Sequence, residues 1–191
     1  MEKRKAVSER TKALIVSFVI IALIVLPVGA VNTSAADLEY NYAKALQYSM
    51  YFYDANMCGT GVEENGQYNW RGNCHVYDAE LPLDSENTNM SDAFIRSNIS
   101  ILDPDGDGKV DVSGGFHDAG DHVKFGMPEA YSASTVGWGY YEFREQYEAT
   151  GQAQHAETIL RYFNDYFMRC TFRDKDGNVV AFCYQVGDGD I

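Results

Sequence analysis

The sequence predicts a mainly α-helical chain with long loops and one small β-hairpin. Three observations carry this. Residues 38–53, 128–150 and 155–168 repeat apolar and ring side chains at helical spacing. The stretch from Cys58 to about Gly126 is rich in Gly, Asn, Asp and Pro and has few periodic runs. Residues 171–184 switch to alternation around Asp176-Gly177, a dipeptide that favours tight hairpins.

The N-terminus comes first. Lys3, Arg4, Lys5, Arg10 and Lys12 precede an almost wholly apolar run from Ala13 to Leu26, and Ser34-Ala35-Ala36 offers a small-residue cleavage site before Asp37. Residues 1–36 therefore read as a secretory signal peptide, with Val28-Gly29-Ala30 as a second cut. The apolar run is shorter than the roughly 18 to 20 residues a membrane span needs. The membrane is expected as a partner only through this segment during export, and the chain is expected to be secreted and extracellular. Removing residues 1–36 leaves 10 basic and 26 acidic residues, a formal charge of −16 against −13 for all 191 residues. Such a surface repels phosphate backbones, so nucleic acid is not an expected partner, whereas a neutral polymer is readily accommodated.

In the first helix Leu38, Tyr42, Leu46, Ser49 and Tyr53 fall near one face, with Ala43, Ala45 and Met50 filling it. Within the loop-rich stretch, Phe94 to Leu102 suggests a helix of one or two turns, and Val110 to Val112 an extended piece. Pro128 opens a helix to about Thr150, with Val136, Trp138, Tyr140, Tyr141, Phe143 and Tyr147 on a broad ring-rich surface; Gly151 stops it. His155 to Met168 follows, bearing Ile159, Leu160, Tyr162, Phe163 and Phe167. The two helices form an antiparallel hairpin, the unit of a helical barrel and equally of a plain bundle. Most of their aromatics are expected in the core. In the β-hairpin, counting outward from Asp176-Gly177 pairs Lys175 with Asn178 and Cys170 with Cys183. That position falls on a non-hydrogen-bonded pair, close enough for a disulfide.

The densest chemistry lies in Gly114-Gly115-Phe116-His117-Asp118-Ala119-Gly120-Asp121-His122-Val123-Lys124-Phe125-Gly126. If Ala119 and Gly120 make a turn, Asp118 and Asp121 point into one small volume, where repulsion and partial burial spread their ionisation. One carboxylate then activates a water while the other orients it. The run closely resembles the signature of glycoside hydrolase family nine, a group of mostly inverting cellulases. Residues 42–47 with 51–55, Trp70-Arg71-Gly72, residues 128–134 and residues 185–190 resemble further landmarks of that family.

The resemblance implies the N-terminal part of an (α/α)6 barrel, and a domain division of residues 1–36 as signal and 37–191 as an incomplete catalytic domain. It implies Asp121 as the general base and Asp118 as its partner in cleaving cellulose or another β-1,4-glucan, with no cofactor required for the chemistry. The family's general acid is a glutamate near the far end of a domain more than twice this length. No glutamate here matches it, so the 191 residues alone are expected to be inactive. Phe116, His122, Phe125 and Trp70 are candidates to line the sugar cleft, because ring faces stack on pyranose C–H groups. The role of the loop from Gln185 to Asp190 stays open.

Cys58 and Cys74 admit two readings. A secreted chain favours a disulfide between them. Together with His75 and His117 they also make a tetrahedral zinc set, and some members of the resembled family carry a structural zinc. Asp103, Asp105, Asp107 and Asp111 stand at positions one, three, five and nine of a calcium-loop pattern with Gly108 at six, but Gly114 replaces the acid at twelve. A solvated acidic turn is the simpler reading, and a weak calcium site the alternative. Two other functions would use the same features: a non-catalytic carbohydrate-binding module, and a calcium-dependent interaction module.

Overall fold

The computed structural model describes residues 40–187. The expected signal peptide with both cleavage sites, the start of the first helix at Leu38, and Asp188 to Asp190 lie outside them. Helix α1, Tyr42–Asn56, buries Met50 and Asp54. The chain then runs extended: Met57 bridges Phe116, and Gly59 bridges Cys74. Gly59 has φ +102°, and a Cβ there would lie 2.7 Å from the Gly114 nitrogen, so only glycine lets these two segments approach.

After a short helix α2, Val62–Asn65, and a 3-10 turn, Val76–Ala79, strand β1, Leu81–Pro82, pairs antiparallel with β2, Lys109–Val110. Between them α3, Asp92–Leu102, is capped by the Ser91 hydroxyl, which accepts from the Phe94 N–H. This is the helix expected over Phe94 to Leu102, begun two residues earlier. Strand β3, Lys124–Phe125, runs straight into α4, Gly126–Glu142.

The helix expected from Pro128 to Thr150 is broken. Phe143 leaves helical geometry at φ −119°, ψ 33°, and α5, Arg144–Ala149, follows. Past the break Tyr147 is buried and meets Tyr140 edge-on at 5.3 Å. Gly151, φ +72°, turns the chain into α6, Ala153–Arg169, which packs on both α4 and α1. Its Ile159, Phe163 and Ala156 join Met50, Met57, Val62, Phe116, Val136 and Tyr147 in the main core. Phe116 lies against Phe163 with ring centroids 4.0 Å apart.

The outer side of α4 departs from the expected burial of helix aromatics. Tyr131, Trp138 and Tyr141 are 72, 69 and 77 % exposed, because α6 packs on the side of α4 that carries Val136.

Strands β4, Thr171–Arg173, and β5, Val179–Phe182, form the expected hairpin, with a different turn. The loop is closed by Asp174 and Asn178 rather than by two residues: the Asp174 N–H donates to the Asn178 carbonyl, and the Asp174 carboxylate accepts from the Asp176 and Asn178 amides. A bulge between Phe172 and Arg173 absorbs the extra residue, so Thr171 still faces Phe182. The Cys183 N–H donates to the Cys170 carbonyl at 2.9 Å, which makes this a hydrogen-bonded position, and both residues are free thiols. Strand β6, Gln185–Val186, then pairs antiparallel with β3.

Candidate active site

Two amides of the central motif are anchored to helices, and three close a loop within it. The Phe116 N–H donates to Glu129 Oε2 on α4, and the His117 N–H to the Asn56 carbonyl at the end of α1. The Asp118 N–H donates to the Val123 carbonyl and the His122 N–H to the Ala119 carbonyl, closing a small loop that His122 leaves at φ +63°. The Val123 N–H reaches Asp121 Oδ1 at 3.4 Å. Asp118 and Asp121 are therefore exposed, not partly buried. They line two adjoining depressions rather than one volume. Asp118 faces a cleft of about 420 Å³ with Phe52, Asn56, Arg71, His75 and His117; Asp121 faces one of about 300 Å³ with Tyr77, Leu81 and Gly187. His122 and His75 border both.

The loop is pinned from behind by Lys124, which is 1 % exposed. Its ammonium has three partners: Asp78 Oδ2 at 2.8 Å, the Val112 carbonyl at 2.9 Å and the Gly114 carbonyl at 3.0 Å. The Tyr166 ring lies 4.8 Å from it. The segments before and after the two aspartates are thus joined through one buried cation. Gly115, at φ +77°, fits between the Tyr166 ring and Glu129 Oε2, where a Cβ would lie 2.8 and 3.0 Å from them.

Glu129 is 4 % exposed, and its Oε1 has no partner. Burial pushes its carboxyl up to about 8, against the opposing pull of the Phe116 amide and Lys124. The group is a neutral acid at pH 7. Sequence reasoning missed it, since an acid in the first turn after Pro128 reads as a solvated helix N-terminus.

Of the candidate cleft residues, His122 stands beside the aspartates. Phe116 is 3 % exposed and belongs to the core, because the turn through Gly114 and Gly115 directs it onto Phe163. Phe125 is half-buried in β3 opposite Gln185. Trp70 is 67 % exposed and packs on Tyr68 at 4.9 Å; it lines neither depression, although its neighbour Arg71 lines the first.

The fold brings Cys58, Cys74, His75 and His117 together, with one ligand atom from each within 4.8 Å of all the others. All are held by backbone: Cys58 N–H donates to the Gly115 carbonyl, and Cys74 pairs with Gly59. His117 Nε2 lies 3.1 Å from His75 Nδ1. Burial, then the neighbouring His75, push the His117 imidazole down to about 4, so it is neutral as a ligand must be. Burial pushes the Cys58 thiol up to about 12, and a bound cation would offset that cost. Both cysteines are thiols rather than a disulfide. Two sulfurs and two imidazoles fit a closed tetrahedral zinc.

Asp103, Asp105 and Asp107 likewise converge. Asp103 accepts from the amides of Gly106, Asp107 and Gly108, which folds the loop. Asp111 does not join them. It accepts from the Ser113 amide and lies 3.8 Å from Arg169 Nε, because β2 carries the chain away after Lys109.

Comparison with known proteins bears on this geometry. The model of glycosyl hydrolase family 9 matches residues 42–191. Endoglucanase A of Bacillus pumilus is 34 % identical over 152 residues, covering 80 % of this chain and 18 % of that protein. Endoglucanase B of Cellulomonas fimi is 35 % identical over 170 residues, 89 % of this chain and 13 % of that one. Among solved structures, the catalytic domain of Clostridium thermocellum CelT is 84 % identical with a TM-score of 0.78, over 79 % of this chain and 31 % of that chain. The cellulase Cel9M of C. cellulolyticum is 38 % identical with a TM-score of 0.55, over 79 % and 28 %. The helices described above are therefore part of the (α/α)6 barrel of a glycoside hydrolase. The chain belongs to glycosyl hydrolase family 9. It spans less than a third of the CelT domain and less than a fifth of Endoglucanase A.

Proposed function

We propose that these residues supply the base side of the catalytic centre of a secreted cellulase that hydrolyses β-1,4-glucosidic bonds with inversion. The observation that carries this is the exposed Asp118–Asp121 loop at the floor of two joined depressions, clamped from behind by Lys124 and Glu129. Asp121 takes the proton of the attacking water, and Asp118, across His122, orients that water. The general acid is a glutamate contributed by chain outside these 191 residues, at the roughly 6.5 to 9.5 Å from the base that leaves room for a water. By themselves the 191 residues hold the base without the acid and are inactive.

The substrate is a β-1,4-glucan. Relatives bearing the name endoglucanase, and the structure of CelQ complexed with cellotetraose, support this choice. Its neutrality suits the acidic chain, which disfavours nucleic acid. Residues 1–36 direct export and are cleaved, leaving residues 37–191 as the start of the catalytic domain. Zinc at Cys58, Cys74, His75 and His117 is structural, tying α1, the Cys74 segment and the catalytic loop together. Calcium at Asp103, Asp105 and Asp107 stiffens the approach to β2. Neither ion takes part in the chemistry. Proton NMR of cellopentaose hydrolysis by the full-length protein tests the reading: the α-anomer forms first if the water attacks directly, and first appearance of the β-anomer contradicts it.

A further inference from the structure

Arg71 is an arginine without a carboxylate. Its Nη2 donates to the Met57 carbonyl at 2.6 Å and lies 3.7 Å from Cys74 Sγ. Its Nε is buried and has no acceptor. Among the described residues no Asp or Glu pairs with it. A half-buried guanidinium held this way needs an anion. The titratable groups lining the same cleft are Cys74, His75, His117, His122 and Asp118, and Asp118 forms no ion pair with Arg71. Of these only the cysteine sulfur becomes anionic on binding a metal.

We propose that Arg71 is an outer-sphere partner of the metal centre, donating to the Cys74 sulfur and supplying the positive charge that stabilises it as a metal-bound thiolate. This rests on the zinc reading of the cluster. The Met57 carbonyl fixes the guanidinium plane, so the donor is positioned before the metal arrives. Met57 O lies 3.8 Å from the same sulfur, which places the end of α1, Arg71 and Cys74 around one point. Outer-sphere donors of this kind govern ligand orientation and metal affinity. Arg71 is a positioning residue and takes no part in the hydrolysis.

The test uses the full chain loaded with zinc or with cobalt. Zinc affinity is measured by competition with a chromogenic chelator, and the sulfur-to-cobalt charge-transfer band by absorption. Arg71→Met is expected to weaken zinc binding by about 10- to 100-fold. The cobalt band is expected to move to longer wavelength, because the sulfur lone pair loses a stabilising charge. Arg71→Lys, which keeps the charge without the planar fork, falls between. Unchanged affinity and an unmoved band in Arg71→Met overturn the inference and leave the zinc reading standing. A wild-type chain that takes up no zinc overturns both. If Arg71→Met does not fold, Arg71→Gln keeps a donor for the Met57 carbonyl and is read the same way.

Discussion

Lys124 Nζ lies 2.8 Å from Asp78 Oδ2, and the two side chains are 2 and 5 % exposed. The pair joins the 3-10 turn after His75 to the strand that follows Asp121, and the Val112 and Gly114 carbonyls on the same ammonium tie in the segment before Asp118. Lys124→Met leaves Asp78 charged and unpaired in the interior, and is expected to cost about 3–5 kcal/mol in urea unfolding. Pairing it with Asp78→Leu removes the orphaned charge. The double variant is expected to recover much of the loss, and a double variant no better than the single one would show that the pair is not the fulcrum.

Glu129 gives a pH dependence with a definite sign. Its folded-state pKa of about 8 lies above the unfolded value of 4.5, so between these pH values the folded chain holds a proton that the unfolded chain has released. This residue's contribution therefore favours folding below pH 4.5 and is lost as pH rises to 8, by up to about 1.4 kcal/mol per pH unit. Glu129→Gln stays neutral throughout. Chemical denaturation at several pH values is expected to show a shallower decline in the variant; identical slopes would place the charge elsewhere.

Phe116 and Trp70 separate by burial. Phe116→Ala opens a hole against Phe163 and is expected to cost about 3–5 kcal/mol. Trp70→Ala, at an exposed site, is expected to change stability by no more than about 0.5 kcal/mol. Thermal melts of the two variants check this, and equal losses would contradict the assignment of Phe116 to the core.

Calcium is expected to raise the melting temperature. A hundredfold excess over Kd adds about 2.7 kcal/mol to stability. Asp105→Asn and Asp107→Asn are expected to abolish the increment while leaving the melt in chelator nearly unchanged, since both side chains are exposed. An increment that survives in both variants would place the ion at another site.

Local chemistry made much of this legible in the sequence. Gly151 between two periodic segments marks a helix end through its own backbone preference, and the alternation of residues 171–184 marks the hairpin, though not its turn or the Ser91 cap. The disposition of the motif's side chains was not legible. Phe116 looks like a cleft aromatic until positive φ at Gly114 and Gly115 turns it inward. Nothing local indicates that Glu129 will sit under Gly115, or that Asp111 will leave the acidic loop for Arg169. The metal cluster was half visible: Cys74-His75 are neighbours, but His117 arrives 42 residues later through the pairing of Met57 with Phe116. The exposed rings of α4 escaped because periodicity shows which residues share a face and not whether a partner covers it.

The central claim is that Asp121 is the general base. Asp121→Asn in the full-length protein preserves size and the acceptor for the Val123 amide while removing the basic oxygen. Reducing-sugar release from carboxymethylcellulose is expected to fall by about 10²- to 10⁴-fold with the fold intact by circular dichroism. Activity equal to that of the unmodified protein would contradict the claim.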